Sequence, residues 1–234
     1  MKLPRSKLFV PGNRPERMRD ASLLQADALS LDLEDAVPPE EKVAARAAVV
    51  AFLQEGPLRQ QVWVRINARD SGDLVADVLA LAGLPVDVVN VPKAEHPRDV
   101  HLVDDLIAHL ERLPGHRGAF AVVPTIETAA GVRNALAIAQ ASPRVVALQL
   151  GSGDLRKSTG IAATVEGLRP VRVMLTLAAA EAGVGVMDSA YTNVADPAGF
   201  EAEAQDARAL GFRGKSCMHP SQVPAANRIF PTDD

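Results

Sequence analysis

The sequence predicts an α/β fold, a single closed (β/α)8 TIM barrel, and three observations carry that prediction. Eight short runs rich in Val, Ile, Leu and Phe recur along the 234 residues, and longer Ala-rich stretches of helical composition separate them. Several runs are continuously apolar, as parallel strands covered on both faces are. Polar residues gather where the runs end, which is where such a barrel builds its active site.

In chain order, the first predicted strand is 8–11, followed by Asn13 and Arg14. The second, 28–33, runs into Asp32, Glu34 and Asp35, and the third, 62–67, carries Arg65 and Asn67 near its end. The fourth, 86–92, leads to Lys93 and Glu95, and the fifth, 120–126, to Glu127. The sixth, 145–150, leads through Gly151 and Gly153 to Asp154; the seventh is 184–187, and the eighth, 215–218, precedes His219. Helical composition covers 39–53, 71–84, 128–139, 168–182 and 199–210. Pro39 and Pro197 stand near helix starts, where a missing amide hydrogen is harmless, and Gly83, Gly183 and Gly211 fall where helices should stop. A doubly wound open sheet would need a Gly-rich phosphate loop after the first strand, and Pro11-Gly12-Asn13-Arg14-Pro15 is not one. No linker or low-complexity segment divides the chain, so one domain spanning 1–234 is expected.

Composition narrows the function. A hydrophobic fraction of 47% with 23% charged residues belongs to a globular chain able to bury one sizeable core. A net charge of −4 without a basic tract, and only 3% aromatic residues, speak against a nucleic-acid surface. Cys217 is the one cysteine, so no disulfide framework exists. No signal peptide or membrane-spanning run is visible, and a cytoplasmic location is expected.

The chemistry is read from the strand ends. Glu127 and Asp154 end neighbouring strand runs, and two adjacent carboxylates at the catalytic face make a seat for Mg²⁺, which takes a few carboxylates plus water and substrate oxygens. Asp154 has a competing use as the cap of a following helix. Arg65 in an apolar run needs a partner, because an unpaired buried guanidinium is costly. That partner is either a substrate carboxylate or keto oxygen, or Glu34 or Asp35, which would orient the arginine. His219 before Pro220 reads as a turn residue ahead of a general base, and Cys217 as a small core residue. Lys93 suits a substrate anion or an ion pair with a loop carboxylate.

These motifs resemble the citrate lyase β-subunit-like proteins, which with the malyl-CoA and citramalyl-CoA lyases fall in the HpcH/HpaI aldolase superfamily. The resemblance rests on Arg5-Ser-Lys-Leu-Phe-Val-Pro-Gly-Asn-Arg-Pro-Glu-Arg17, Leu31-Asp-Leu-Glu-Asp-Ala-Val37, Val64-Arg-Ile-Asn67, Val91-Pro-Lys-Ala-Glu95, Ile126-Glu-Thr-Ala129, Gly151-Ser-Gly-Asp154 and Gly214-Lys-Ser-Cys-Met-His-Pro-Ser-Gln222. It implies a homo-oligomeric barrel, commonly a trimer, that cleaves a 3-hydroxyacyl thioester into an acetyl thioester and an α-keto acid. Carried over by residue, it implies Glu127 and Asp154 as Mg²⁺ ligands and Arg65 with Glu127 as catalytic and substrate-binding groups. It further implies Arg14 near the substrate, Arg5 and Lys7 near a CoA moiety, and CoA or an acyl carrier protein as thioester carrier. Gly153 stands where relatives often carry a glutamate. The chain ends soon after the eighth unit, so the lid segment of related CoA-dependent lyases is expected to be absent. A free-acid class II aldolase, and a carrier-protein-dependent subunit inactive alone, are the alternative readings.

Overall fold

The computed structural model describes residues 1–112 and 120–230; the end of the chain, where a lid would begin, lies outside them. Its strands are β1 (Ser6–Pro11), β2 (Ala28–Asp32), β3 (Gln61–Arg65), β4 (Val88–Val91), β5 (Ala121–Ile126), β6 (Ala147–Leu150), β7 (Gly185–Asp188) and β8 (Gly214–Cys217). All pair in parallel with their neighbours in sequence, and β8 returns to β1, closing the barrel. Each predicted run overlaps one of these strands. The third stops at Arg65 instead of running to Asn67, because Asn67 gives its backbone N–H and side-chain amide to Asp77, at 2.8 and 2.7 Å.

The helices are α1 (Pro15–Ser22), α2 (Lys42–Gln54), α3 (Leu74–Ala80), α4 (Pro97–Leu110), α5 (Ala129–Arg133), α6 (Ala135–Ala139), α7 (Ser152–Thr159), α8 (Val165–Ala182), α9 (Pro197–Ala209) and α10 (Val223–Ile229). The stretch expected as one helix over 128–139 is two, broken at Asn134, whose amide reaches back to the Glu95 carbonyl at 2.7 Å. Gly183 ends α8 with φ of 72°, a left-handed turn that a residue with a Cβ rarely adopts.

Strand periodicity of two separates two environments. Leu29 and Leu31, Val62 and Val64, Val89 and Val91, and Leu148 and Leu150 pack with the helices in the main core. Each such side chain contributes roughly 1.5–3 kcal/mol relative to exposure. The alternate positions fill the barrel. Ala28, Trp63, Val88, Val123, Ala147 and Met187 form a separate apolar cluster toward the N-terminal ends of the strands. One step on come Lys7, Asn90, Thr125, Gln149 and Ser216, all buried, and then Asp32 and Arg65. The interior therefore changes from apolar to charged along the barrel axis, and the charged end is the catalytic face.

A second charged group lies outside the barrel wall, against α8 and α9. Arg172 meets Asp188 at 3.0 Å and Glu203 at 2.8 Å, and Lys215 meets the same two carboxylates at 2.6 and 2.9 Å. Two cations shared between two carboxylates are mutually compensated, which burial demands.

Candidate active site

A cavity of about 1010 Å³ opens at the C-terminal ends of the strands. Asp32, Arg65, Glu127, Gln149 and Asp154 line its inner end. Arg17, Asp20, Ala21 and Leu24, one face of α1 and the residues after it, form one wall, and Tyr191, Asn193 and His219 stand at another. The spacing of the first group is the i, i+3, i+4, i+7 repeat of a helix face.

Arg65 is held first by Asp32. These residues are register partners on β3 and β2, so the last inward positions of two adjacent strands face each other. The guanidinium meets the carboxylate bidentately, Nε to Oδ1 at 2.7 Å and Nη2 to Oδ2 at 2.6 Å. Asp32 also accepts the backbone N–H groups of Glu34 and Ala36, at 3.0 and 3.1 Å. Burial alone would raise the Asp32 pKa, but Arg65 and these N–H groups outweigh it and hold the carboxyl below its ordinary value. Nη1 of Arg65 reaches Glu34 at 3.0 Å and Asp35 at 3.6 Å, and the guanidinium lies over the Phe9 ring, 4.9 Å from its centroid. Burial lowers the pKa of Arg65, yet the three carboxylates raise it further, so it is a permanent cation. Glu34 and Asp35 thus contact the arginine, but its principal partner is Asp32, which the sequence shows only as a polar strand end.

Glu127 follows directly after β5 and is only 3% exposed. Its Oε1 accepts the backbone N–H of Lys93 at 2.6 Å. Its Oε2 faces Gly151: a Cβ built there would lie 2.5 Å from Oε2 and 2.5 Å from the Glu127 Cβ. Only glycine admits this approach. Burial and then the charge of Glu34 push the Glu127 carboxyl up to about 7, against the opposing effects of the Lys93 N–H and Arg65, and Asp154 adds the smallest contribution.

Asp154 does not close a strand. β6 stops at Leu150, and Asp154 sits in the first turn of α7, where the helix dipole favours a negative side chain. It makes no cap hydrogen bond; its carboxylate pairs with Lys157 at 2.7 Å and keeps 22% side-chain exposure. Gly153 beside it has open space where a Cβ would stand, so a side chain is sterically admissible there.

Of the three basic residues expected near the ligand, Arg5 and Lys7 are elsewhere, and Arg14, in the loop after β1, is outside the cavity lining. Arg5 precedes β1 and so lies at the opposite end of the barrel, where Asp27 takes its Nε and Nη2 at 2.7 and 2.8 Å. Lys7 points into the barrel, fully buried, with Nζ bonded to Gln149 and to Asn90 (3.3 Å) and set over the Trp63 ring. Burial drives its pKa well below the ordinary lysine value. Arg14 precedes α1 in non-helical backbone and is exposed to solvent; Arg17, within the helix, is the arginine on the cavity wall. His219 caps the turn Pro220–Gln222, its Nδ1 accepting the Ser221 N–H at 3.2 Å. Cys217 is buried and pushed up to about 12 by that burial, an inert thiol.

Among the described residues no three His, Cys, Asp or Glu side chains converge as a metal cluster. The donor set at the cavity is two carboxylates, Glu127 and Asp154. That set fits Mg²⁺, which binds through one or two carboxylates and fills its remaining positions with water and substrate oxygens. Burial and the neighbouring carboxylates act against the charged form of Glu127, which a bound cation would favour.

Residues 5–220 match the HpcH/HpaI aldolase/citrate lyase family. Citrate lyase subunit β from Leuconostoc mesenteroides subsp. cremoris is 35% identical over 237 residues, 99% of this chain and 78% of that one. The L-malyl-CoA/β-methylmalyl-CoA lyase of Cereibacter sphaeroides is 32% identical, covering 97% of this chain and 78% of its own. The crystal structure of CitE from Mycobacterium tuberculosis in complex with magnesium, acetoacetate and coenzyme A superposes with a TM-score of 0.78 at 33% identity, over 99% of this chain and 82% of that one. The chain is a carbon–carbon lyase and belongs to the HpcH/HpaI aldolase/citrate lyase family.

Proposed function

We propose that this lyase is Mg²⁺-dependent and cleaves a 3-hydroxyacyl thioester of the citryl, citramalyl or malyl type into an acetyl thioester and an α-keto acid. The observation that carries the reading is a carboxylate pair, Glu127 and Asp154, facing a fixed arginine across one cavity. Glu127 and Asp154 would hold Mg²⁺, and the ion would supply polarisation of the hydroxyl that becomes the keto oxygen.

The chain's own residues do the rest. Arg65 is immobilised through Nε and Nη2 by Asp32, so its charge faces the reacting oxygens without reorganising during reaction. Glu127 keeps Oε1 on the Lys93 N–H and presents Oε2 beside Gly151, and burial pushes its carboxyl up to about 7.

The cavity size supports a thioester over a free keto acid: about 1010 Å³ is at the upper end for drug-sized ligands and well beyond a keto acid's need. Arg17 takes the place of Arg5 and Lys7 as the basic group beside the carrier. A homotrimer is the expected assembly, supported by Val173, Met174 and Leu177, exposed together on α8. Among the described residues no helix is long and apolar enough to cross a membrane.

The test is direct. The protein is incubated with malyl-CoA, citramalyl-CoA and citryl-CoA, and release of acetyl-CoA is followed with Mg²⁺ or EDTA. Release that needs Mg²⁺ supports the reading. Cleavage of free acids alone would replace it with the aldolase, and activity only after a carrier protein is added would replace CoA.

A further inference from the structure

Lys93 is the only non-glycine among the described residues with a left-handed backbone, φ of 50°. Such a conformation is costly for a side chain and persists where the surroundings over-determine it. Here they do. The next residue, Ala94, gives its N–H to the Thr125 carbonyl at 3.1 Å, and its carbonyl lies 2.6 Å from where a Cβ on Gly131 would stand. The β4 loop is thereby pressed between β5 and α5.

The strained turn aims two groups of one residue at two carboxylates. The Lys93 backbone N–H meets Glu127 Oε1 at 2.6 Å, while Nζ meets Glu34 Oε1 at 2.7 Å and Asp35 at 3.6 Å. Glu34 is buried and close enough to Glu127 for its charge to act there. Without a counter-ion it would be a further buried negative charge near Glu127. Arg65 alone does not neutralise it, since that guanidinium is already committed bidentately to Asp32.

We propose that Lys93 is a positioning residue that reserves Glu34 with its ammonium and clamps Glu127 with its backbone N–H, so that a divalent cation is offered two carboxylates and keeps open positions for substrate. The inference rests on the reading that Glu127 and Asp154 hold Mg²⁺. Mg²⁺ prefers few carboxylates with water and substrate oxygens, and a third would close a position the substrate needs.

The experiment is calorimetric Mg²⁺ titration of the intact, metal-stripped protein, with the melting temperature of each variant recorded. The variants are Asp154→Asn, Lys93→Met, Glu34→Gln and the double Lys93→Met/Glu34→Gln. Lys93→Met should bind Mg²⁺ about tenfold more tightly than wild type, and adding Glu34→Gln should remove that gain, while Glu34→Gln alone changes affinity by no more than about threefold. That non-additivity is the signature, since charges acting only at a distance would give Glu34→Gln the same effect in both backgrounds. Additive effects, or an unchanged affinity in Lys93→Met with only a lowered melting temperature, would overturn the inference and leave Lys93 a structural residue. If wild type binds no Mg²⁺, or Asp154→Asn binds it equally, the metal reading fails and this inference falls with it.

Discussion

Glu127→Gln in the metal-free protein should make the fold more stable above neutral pH. Glu127 rises from 4.5 to about 7 on folding, so the native state favours its protonated form. The sign follows from linkage: a carboxyl raised in the folded state leaves stability intact below about pH 4.5 and removes it progressively up to about pH 7. At about 1.4 kcal/mol per pKa unit the charged group costs the apo fold about 3 kcal/mol. With Glu127 only 3% exposed, solvent screening removes little of that. Glutamine copies the neutral acid and keeps an oxygen for the Lys93 N–H. Urea unfolding with EDTA should therefore give variant and wild type similar stability near pH 4.5, and the variant about 3 kcal/mol more near pH 8. Adding Mg²⁺ at the higher pH should stabilise wild type and leave the variant unmoved. A variant destabilised equally at both pH values would refute the reasoning, because the buried charge would then not be the cost it is taken to be.

Other substitutions test the remaining supports. Asp32→Asn strips Arg65 of its bidentate partner and should cost roughly 3 kcal/mol in urea unfolding at neutral pH; because the Asp32 pKa is lowered, the difference from wild type should shrink as pH falls through that value. Gly151→Ala sets a methyl 2.5 Å from Glu127 Oε2, so Mg²⁺ affinity measured by calorimetry should drop by at least about tenfold while the far-ultraviolet dichroism is retained. Arg5→Ala and Arg17→Ala form a contrasting pair in steady-state kinetics. Arg5→Ala should lower the melting temperature and leave the KM for a CoA thioester unchanged, whereas Arg17→Ala should raise that KM; the reverse would contradict the placement of the carrier.

The barrel was legible because burial on both faces demands continuously apolar strands, and eight of them in phase with polar ends leave one topology. Glu127 was legible for the same reason: it follows β5 without an intervening turn. Asp154 was assigned to a strand end because Gly151-Ser152-Gly153 reads as loop, yet the chain enters α7 at Ser152, and tertiary packing overrode local propensity. Arg65 was recognised as needing a partner, but Asp32 emerges only from strand register, since both residues take the last inward position of adjacent strands. Arg5 and Lys7 came from resemblance and are corrected by topology: a residue preceding a parallel strand lies at the far end, and an inward residue early in β1 fills the core. Lys93 was legible as a loop cation that suits an ion pair, but not its left-handed backbone, and Gln149 leaves no pattern in the sequence, because these depend on one dihedral angle and on which side chains meet inside the barrel.

The central claim is that Glu127 and Asp154 together make the metal site at which the keto acid binds. Calorimetric titration of oxaloacetate, pyruvate and glyoxylate into wild type and Asp154→Asn, with and without Mg²⁺, tests it most directly. The account predicts that wild type binds a keto acid only with Mg²⁺ and that Asp154→Asn does not bind it under either condition. Binding of equal affinity in the absence of Mg²⁺, or undiminished in Asp154→Asn, would contradict it.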